Sequence, residues 1–403
     1  MLLQPLVIAW RRHRLATLLL VLEIAIAYGV LCNACYLVAG RLATIRSQSG
    51  LDESSLAAVQ LSGSGAGSGA AINAAVLAGI RSIPGVQEAG VLNTVPFGMQ
   101  KAAVEIARQP EGGAAAKADF YIGGEGSIEA LGLRVISGRL PATDDYLPLA
   151  GSLPADGLVL VTKSLSDYLW PQSTPLGKEF WVDKRRFRVI GILERLPIAR
   201  PGSRGNSSIN WSIFAPVKPG DALVGSYVLR ASEGDMQRVL SNVEKVVATI
   251  VPDIVFDRAQ SQTIETLRKA YFQRDISLIA LLAGVVMALL LVAAFGIGGL
   301  ASFWVEQRRR HIGIRRALGA TRRDIRHQFQ AENFSIVTAG IAVGVVIAIG
   351  LSLIYTRYYA APTLPLSYLL IGGLSLWLLG QVAVLGPAIR AAAVEPVAAI
   401  RFG

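Results

Sequence analysis

Residues 306–325 read EQRRRHIGIRRALGATRRDI, a strongly basic segment between two long apolar stretches, 276–303 and 334–355. Each apolar stretch is long enough to cross the hydrocarbon core of a bilayer, which takes about 20 apolar residues. The basic segment therefore lies at a membrane surface, between two membrane-spanning helices. Gly319-Ala-Thr321 predicts a break between two shorter helices there, with Thr321 as N-cap and Asp324 in place of the capping-box glutamate.

Two further apolar stretches, 15–38 and 366–386, bring the predicted transmembrane helices to four. Arginines precede the first helix, fill the basic segment and follow the fourth helix, whereas the connection between the third and fourth holds only Arg357. The positive-inside rule then predicts both termini and the basic segment in the cytoplasm and residues 41–275 outside. The first stretch is too long for a signal peptide, and we interpret it as a retained anchor.

The bulk composition agrees with a membrane protein. The chain has 403 residues, 52% of them apolar, and a formal net charge of +11. Its mean hydropathy of +0.47 is too high for an ordinary soluble protein. The charge does not indicate a nucleic-acid partner, because the basic residues cluster beside the apolar stretches. Both cysteines, Cys32 and Cys35, fall inside the first apolar stretch, which predicts a packing role and not a disulfide framework or a metal site.

The segment between the first two helices predicts an inserted α+β domain. A small-residue run at 61–69 predicts a flexible loop, and polar residues 258–275 predict a stalk that continues the second helix. The remaining predicted elements are helices at 70–82, 164–170 and 234–251, strands at 157–162 and 227–230, and a hairpin of 179–183 with 187–193 across Lys184-Arg185-Arg186.

Catalytic and cofactor signals are missing from this domain. All three histidines, His13, His311 and His327, map to the cytoplasmic side, so a Ser-His-Asp triad or a histidine-bound zinc is not expected outside. Asp144-Asp145 predicts a solvated turn. No G-x-x-x-x-G-K-[ST] occurs in the sequence, so we expect no enzyme activity and no cofactor, with ATP bound by a separate subunit.

Glu23 is an ionisable residue in the middle of the first predicted helix, where a charge is costly. One interpretation is a polar contact within the bundle or at a dimer interface. The other is a protonated or snorkelling carboxyl group without a role in transport. The sequence leaves both open.

The basic segment closely resembles the cytoplasmic signature of the MacB/FtsX permease superfamily, a Glu-Arg-x-x-Glu-Ile-Gly-Ile-Arg-Arg-Ala-Leu-Gly-Ala-type run before the third helix. The match is contiguous over 312–320, while Gln307 and His311 stand where the family usually has glutamates. Residues 387–401 are similar to the family's terminal segment. Three stretches of the inserted domain, 137–140, 175–178 and 187–192, look like MacB-type periplasmic segments.

The resemblance implies that the basic segment forms a coupling helix that docks into an ATPase subunit. The residues that it assigns to coupling are Ile312, Gly313, Ile314, Arg315, Arg316, Ala317, Leu318 and Gly319. The alternative is a basic patch that sets topology or contacts anionic lipid. Lipid contact would explain the arginines but not the apolar positions interleaved with glycines.

The resemblance also implies a domain order. Residues 1–40 form the cytoplasmic N-terminus and first helix, and residues 41–275 a MacB-like periplasmic domain with its stalk. Residues 276–403 form an FtsX-like domain with three helices, a coupling loop at 304–332 and a cytoplasmic C-terminus.

The implied function is that of a permease subunit of a MacB-type ABC transporter in a bacterial inner membrane. It would couple ATP hydrolysis by a separate ATPase to periplasmic motion (mechanotransmission) for efflux of antibiotics, peptides or lipoproteins. The implied partners are the ATPase, a second permease in a homo- or heterodimer, and a periplasmic adaptor with an outer-membrane duct. The alternative function is an FtsX-like regulator of a periplasmic cell-wall hydrolase.

Overall fold

A computed structural model describes residues 14–63, 68–100, 102–151, 153–154, 156–201, 209–220, 223, 225–359 and 363–393. The chain divides into two compact units. We call residues 1–42 together with 275–403 the helical unit, and residues 43–274 the α+β unit.

The helices follow one another in the described residues in this order: α1 (Arg14–Ile45), α2 (Gly69–Arg81), α3 (Ser127–Leu131), α4 (Lys163–Leu169), α5 (Met236–Ile250), α6 (Ile264–Gln307), α7 (Arg309–Ala317), α8 (Arg322–Tyr359) and α9 (Leu366–Ala392). By length and composition, α1, α6, α8 and α9 could each cross a membrane. The four predicted spans are thereby confirmed, with the α+β unit inserted between α1 and α6.

The membrane-length helices extend beyond the apolar stretches that predicted them. The 38 residues of α8 span about 57 Å at about 1.5 Å per residue, well over the hydrocarbon thickness of about 30 Å. An apolar stretch reports only the part of a helix that lipid or protein must bury. The predicted stalk is helical from Ile264 onward, and residues 258–263 form a turn before it.

The helical unit packs through small residues and through polar side chains that bond to neighbouring backbones. Tyr28 of α1 donates to the carbonyl of Leu369 at 2.7 Å, and Asn333 of α8 donates to that of Gly380 at 2.8 Å. Such bonds satisfy polar groups that lipid cannot. Cys32 is buried, in agreement with the predicted packing role, whereas Cys35 is exposed and does not share it.

The strands of the α+β unit are β1 (Leu56–Ser62), β2 (Val86–Val91), β3 (Ala103–Ile106), β4 (Ala116–Gly123), β5 (Val135–Gly138), β6 (Leu147–Ala150), β7 (Leu153–Pro154), β8 (Gly157–Thr162), β9 (Glu179–Val182), β10 (Arg185–Leu193), β11 (Ser212–Lys218), β12 (Ser226–Ala231) and β13 (Val255–Phe256). They form two sheets. The smaller has the order β13-β1-β12-β2, and the larger has the path β3-β4-β11-β8-β10-β5, with β9 beside β10 and the β6–β7 pair beside β11.

The smaller sheet is antiparallel, whereas the larger is mixed, with β8 parallel to β10 and β4 parallel to β11. Helices α2 and α5 pack on each other, and their buried residues join one core with both sheets. This core includes Val76 of α2, Val243 of α5 and Phe187 of β10. The unit is therefore the α+β domain that the sequence predicted.

The predicted helices and strands of this unit are confirmed to within two residues at each end, but two details differ. The hairpin of β9 and β10 turns at Asp183-Lys184, with φ of 47° and 66°, so Arg185 and Arg186 belong to the strand and the predicted turn is misplaced. Two residues in the left-handed region match the twist of a tight hairpin. The predicted loop at 61–69 overlaps the end of β1 and the start of α2, and residues 64–67 lie outside the described residues.

Candidate functional site

The basic segment folds as two helices joined by a tight turn. Helix α7 ends at Ala317, and Gly319 follows with φ of 101°, a left-handed conformation that glycine adopts without steric cost. The Thr321 amide donates to Asp324 Oδ2 at 2.9 Å, and the Asp324 amide donates to Thr321 Oγ1 at 3.2 Å. These reciprocal bonds confirm the predicted capping box at the start of α8.

The eight residues assigned to coupling divide between two faces of this segment. Ile312 is buried in a small core with Val305, Ile325, Phe329, Ala388 and Ala391, and Gly313 is buried beside it. On the opposite side Ile314 is 41% and Leu318 82% exposed. Arg316 is half-buried.

Ile312 and Gly313 therefore anchor α7 to its own chain. We call Ile314, Arg315, Ala317, Leu318 and Gly319, which are all exposed, the outer face of α7. Of the predicted set, Ile312 and Gly313 are therefore closed to another molecule and Arg316 is only partly accessible.

A polar network, which we call the brace, ties α7 to α8. Arg315 donates to Gln328 Oε1, and Gln328 Nε2 donates to Glu332 Oε1 at 3.1 Å. Arg308, just before α7, donates to both oxygens of the same carboxylate, at 2.8 and 3.1 Å. The Glu332 side chain is only 9% exposed, so its hydrogen bonds to Arg308 and Gln328 take the place of water.

Gln328 and Glu332 are not among the residues predicted from the sequence. Their spacing of four residues, which puts two polar side chains on one helix face directly before the third apolar stretch, is the signal that could have found them.

The charge of this segment is almost entirely positive. Between residues 308 and 327, Asp324 is the one acidic residue, and its carboxylate is engaged in the capping box. The arginines are Arg308, Arg309, Arg310, Arg315, Arg316, Arg322, Arg323 and Arg326. The outer face of α7 is thus an exposed apolar surface bordered by cations, which suits a partner with a negatively charged, partly apolar groove.

Glu23 lies on the side of α1 that faces α6. A Cβ placed on Gly296 of α6 would lie 2.8 Å from Glu23 Oε2, so glycine at that position leaves room for the carboxyl group. Glu23 Oε1 is buried and has no hydrogen-bond partner among the described residues. The bundle-contact and neutral-carboxyl interpretations both stay predictions.

The acidic pair of the α+β unit lies in a 3₁₀ turn, Thr143–Asp145. The turn is as predicted, but Asp145 is not solvated: its side chain is 11% exposed, pairs with Arg139 and accepts from the Ala142 amide at 2.7 Å. The hydrogen bond from Arg139 is the main cause that lowers the pKa of Asp145. Over the described ranges, histidine, cysteine, aspartate and glutamate form no cluster of three that could hold a metal ion.

Comparison with known proteins agrees with this arrangement. Residues 276–396 match the FtsX-like permease C-terminal family. The chain is 24% identical over 290 residues to the uncharacterized ABC transporter permease YknZ of Bacillus subtilis, covering 69% of this chain and 68% of that protein. It is 26% identical over 252 residues to the macrolide export ATP-binding/permease protein MacB of Neisseria gonorrhoeae, covering 60% of this chain. The aligned part spans only 36% of that MacB protein's length.

Two solved structures also align. The periplasmic region of MacB from Actinobacillus actinomycetemcomitans covers 54% of this chain and 92% of its own length, at 15% identity and a TM-score of 0.35. The extracellular domain of YknZ from Gram-positive bacteria covers 50% of this chain and all of its own, at 14% identity and a TM-score of 0.31.

Four membrane-length helices, an α+β unit between the first two and the FtsX-like match define the class: a multi-pass membrane permease. Residues 276–396 carry an FtsX-like permease C-terminal domain, and the chain is similar in sequence to the ABC transporter permeases YknZ and MacB. The MacB relative is named as an ATP-binding/permease protein, so that relative combines both parts in one chain.

Proposed function

We propose that the chain is a permease subunit that converts ATP hydrolysis by a separate ATPase into movement of its α+β unit. The observation that carries this proposal is the outer face of α7. Leu318 and Ile314 are exposed among arginines at the end of a helix that is fixed to its own chain by Ile312 and by the brace. Burying Leu318 in a partner would contribute about 2 kcal/mol.

The brace supports transmission from α7 into the helices. Arg315 on the outer face is bonded to Gln328, and Gln328 and Arg308 hold Glu332 of α8. A partner that moves α7 therefore pulls on α8 through charged and polar groups, not only through apolar contact. Asn333, next along α8, donates to the Gly380 carbonyl of α9 and extends the path to a third helix.

Movement then passes along α6, a single helix of 44 residues from Gln307 to Ile264. Glu23 is the one charged residue in the apolar stretches 15–38, 276–303, 334–355 and 366–386, so cargo does not have to pass between the spans of one chain. We infer export, with antibiotics, peptides or lipoproteins as cargo classes. The proposed site of action is a bacterial inner membrane with both termini in the cytoplasm, and the proposed further partners are a second permease, an adaptor and an outer-membrane duct.

The test is copurification with the tagged chain from its native host, followed by mass spectrometry. We expect an ABC ATPase with the wild-type chain, and its loss with Leu318→Asp, because a carboxylate cannot enter an apolar groove without desolvation. Leu140→Asp is the matched control, since Leu140 is also exposed but lies in the α+β unit.

Absence of any ATPase with the wild-type chain would contradict the proposal. Retention of the ATPase by Leu318→Asp would contradict docking through the outer face of α7. A cell-wall hydrolase or its activator in the same sample, with no adaptor, would favour the regulator function.

A further inference from the structure

Arg268, in the second turn of α6, binds the end of α1. Its Nη2 donates to the backbone carbonyls of Ile45, the last residue of α1, at 2.7 Å and of Ser47 at 2.5 Å. Its Nη1 donates to Glu53 at 2.5 Å. The carbonyls at a helix C-terminus lack partners within the helix and carry the negative end of its dipole, so a guanidinium group suits them well.

The pair of charges is largely shielded from water. The side chain of Glu53 is 14% exposed and that of Arg268 20%. The Glu53 carboxylate also accepts a hydrogen bond from the Ser49 hydroxyl. The backbone carbonyl of Glu53 accepts another from the Glu265 amide at 3.2 Å. The segment between α1 and β1 is thereby fastened to α6 at several points.

Aromatic rings enclose the same guanidinium group. Its central carbon lies 5.5 Å from the ring centre of Phe97 and 6.0 Å from that of Phe272, a cation–π arrangement. Phe97 has φ of 62°, which a bulky residue other than glycine rarely adopts and which persists only when surrounding contacts enforce it. The strained backbone puts this ring against Arg268.

Loops from both sheets are attached to this point. Phe97 follows β2 of the smaller sheet, and its amide donates to the Ala199 carbonyl at 3.0 Å, in the loop after β10 of the larger sheet. Tyr271 of α6 donates to the Pro201 carbonyl of that loop at 2.9 Å. One turn of α6 thus contacts the end of α1 and one loop from each sheet. We call the contacts of Arg268 with Ile45, Ser47, Glu53, Phe97 and Phe272 the Arg268 junction.

We propose that Arg268 is a positioning residue that makes this junction a rigid joint, so that residues 43–45 at the end of α1, residues 264–274 at the start of α6 and both sheets move as one part of the α+β unit. The proposal rests on the proposed function and adds to it the place where helix motion enters the α+β unit. Lysine cannot replace the arginine, because a single ammonium group lacks the planar fork that reaches two carbonyls and a carboxylate while stacking on rings.

The first experiment tests the joint itself by hydrogen exchange of the full chain in lipid nanodiscs. We expect Arg268→Gln to speed amide exchange in residues 46–55 by at least about tenfold, because hydrogen bonds to charged groups are among the strongest in proteins. Phe97→Gly, which removes the ring and relieves the backbone, is expected to act in the same direction. Lys269→Gln is the matched control: Lys269 is the next residue of α6 and pairs with Glu265 in an exposed position.

The second experiment tests the role in transmission. The chain is assembled with the ATPase that copurifies with it, and exchange across the α+β unit is compared without nucleotide and with ATP plus vanadate. We expect Arg268→Gln to keep ATPase stimulation within about twofold of wild type while the nucleotide-dependent change in the α+β unit is lost. If Arg268 only stabilised the fold, its loss would not remove the nucleotide-dependent exchange while ATPase stimulation persisted.

The outcomes are distinguishable. Unchanged exchange at 46–55 in both variants, or a normal nucleotide response in Arg268→Gln, would overturn the rigid joint alone. Loss of ATPase stimulation in Arg268→Gln would overturn it as well, because the defect would then lie in docking. A wild-type chain with no nucleotide response would overturn mechanotransmission, while the first experiment would still report whether the joint exists.

Discussion

The brace and the Arg268 junction use the same chemistry in two different ways. In each, an arginine holds a carboxylate that is nearly withdrawn from water, Glu332 in the brace and Glu53 in the junction. The brace joins Arg308 to a residue 24 positions away and uses side chains alone. The junction joins residues 215 positions apart and also binds backbone carbonyls.

This difference indicates two mechanical properties. Contacts made only by side chains can exchange partners when a rotamer changes, whereas bonds to backbone carbonyls require the backbone itself to move. The brace therefore suits a contact that responds to a docked partner. The junction suits a contact that stays closed.

The largest expected effect comes from removing one charge of the brace. Glu332→Ala leaves Arg308 partly buried without its carboxylate, and we expect a loss of about 3 kcal/mol in the free energy of unfolding. The measurement is unfolding in mixed micelles followed by tryptophan fluorescence.

The double variant Arg308→Met/Glu332→Met removes both charges and should lose less than Glu332→Ala. A single variant within about 0.5 kcal/mol of wild type would mean that the brace is solvated and that its resemblance to the junction is superficial.

A smaller loss in the free energy of unfolding is expected from a substitution in the turn after α7, where only the backbone conformation is affected. Gly319→Ala introduces a Cβ at φ of 101° with no neighbour within 4 Å, so its expected cost of about 1–2 kcal/mol comes from the backbone and not from a clash. The same unfolding measurement checks it.

Gly284→Ala is the matched control for this turn. A Cβ on Gly284 also meets nothing within 4 Å, but this glycine lies within α6 and should tolerate alanine. Equal effects of the two substitutions would show that the left-handed turn does not set the position of α7.

The smallest effect is expected at a third pair, Arg139 and Asp145, where the arginine is half exposed. The pKa of Asp145 is held below its usual 3.8, chiefly by the hydrogen bond from Arg139. Its contribution to stability is therefore complete above the unfolded-state pKa and is lost as the pH falls through the lower folded-state pKa.

Thermal unfolding of wild type and Asp145→Asn at about pH 6 and about pH 3 checks this sign. The two midpoints should differ at the higher pH and converge at the lower. A difference that grows on acidification would contradict the lowered pKa.

The sequence was sufficient for features whose cause is local. The four apolar stretches, the capping box of Thr321 and Asp324 and the break at Gly319 depend on residues within a few positions of one another, and the structure has all of them. The apolar stretches alone understate the length of the helices: α8 begins at Arg322, in polar residues that no apolar run includes, and its start was predicted from the Thr321 cap instead.

Contacts between residues that are distant in sequence could not be predicted, because they depend on how the chain packs. Nothing near Arg268 in the sequence indicates Glu53 or the strained Phe97, and Asp145 looked solvated because Arg139 lies across a turn. Likewise, the division of the residues assigned to coupling into an anchored and an exposed face depends on the neighbours of Ile312, most of which are distant in sequence.

The unbroken length of α6 has a geometric consequence. At 44 residues it measures about 66 Å, because each residue of an α-helix advances about 1.5 Å. Pivoting such a rod by about 5° around its Gln307 end would carry the Ile264 end through about 6 Å, by simple trigonometry on that length. In the proposed mechanism α6 would act as a lever: a few degrees of rotation at its Gln307 end would displace its Ile264 end by the width of one side chain.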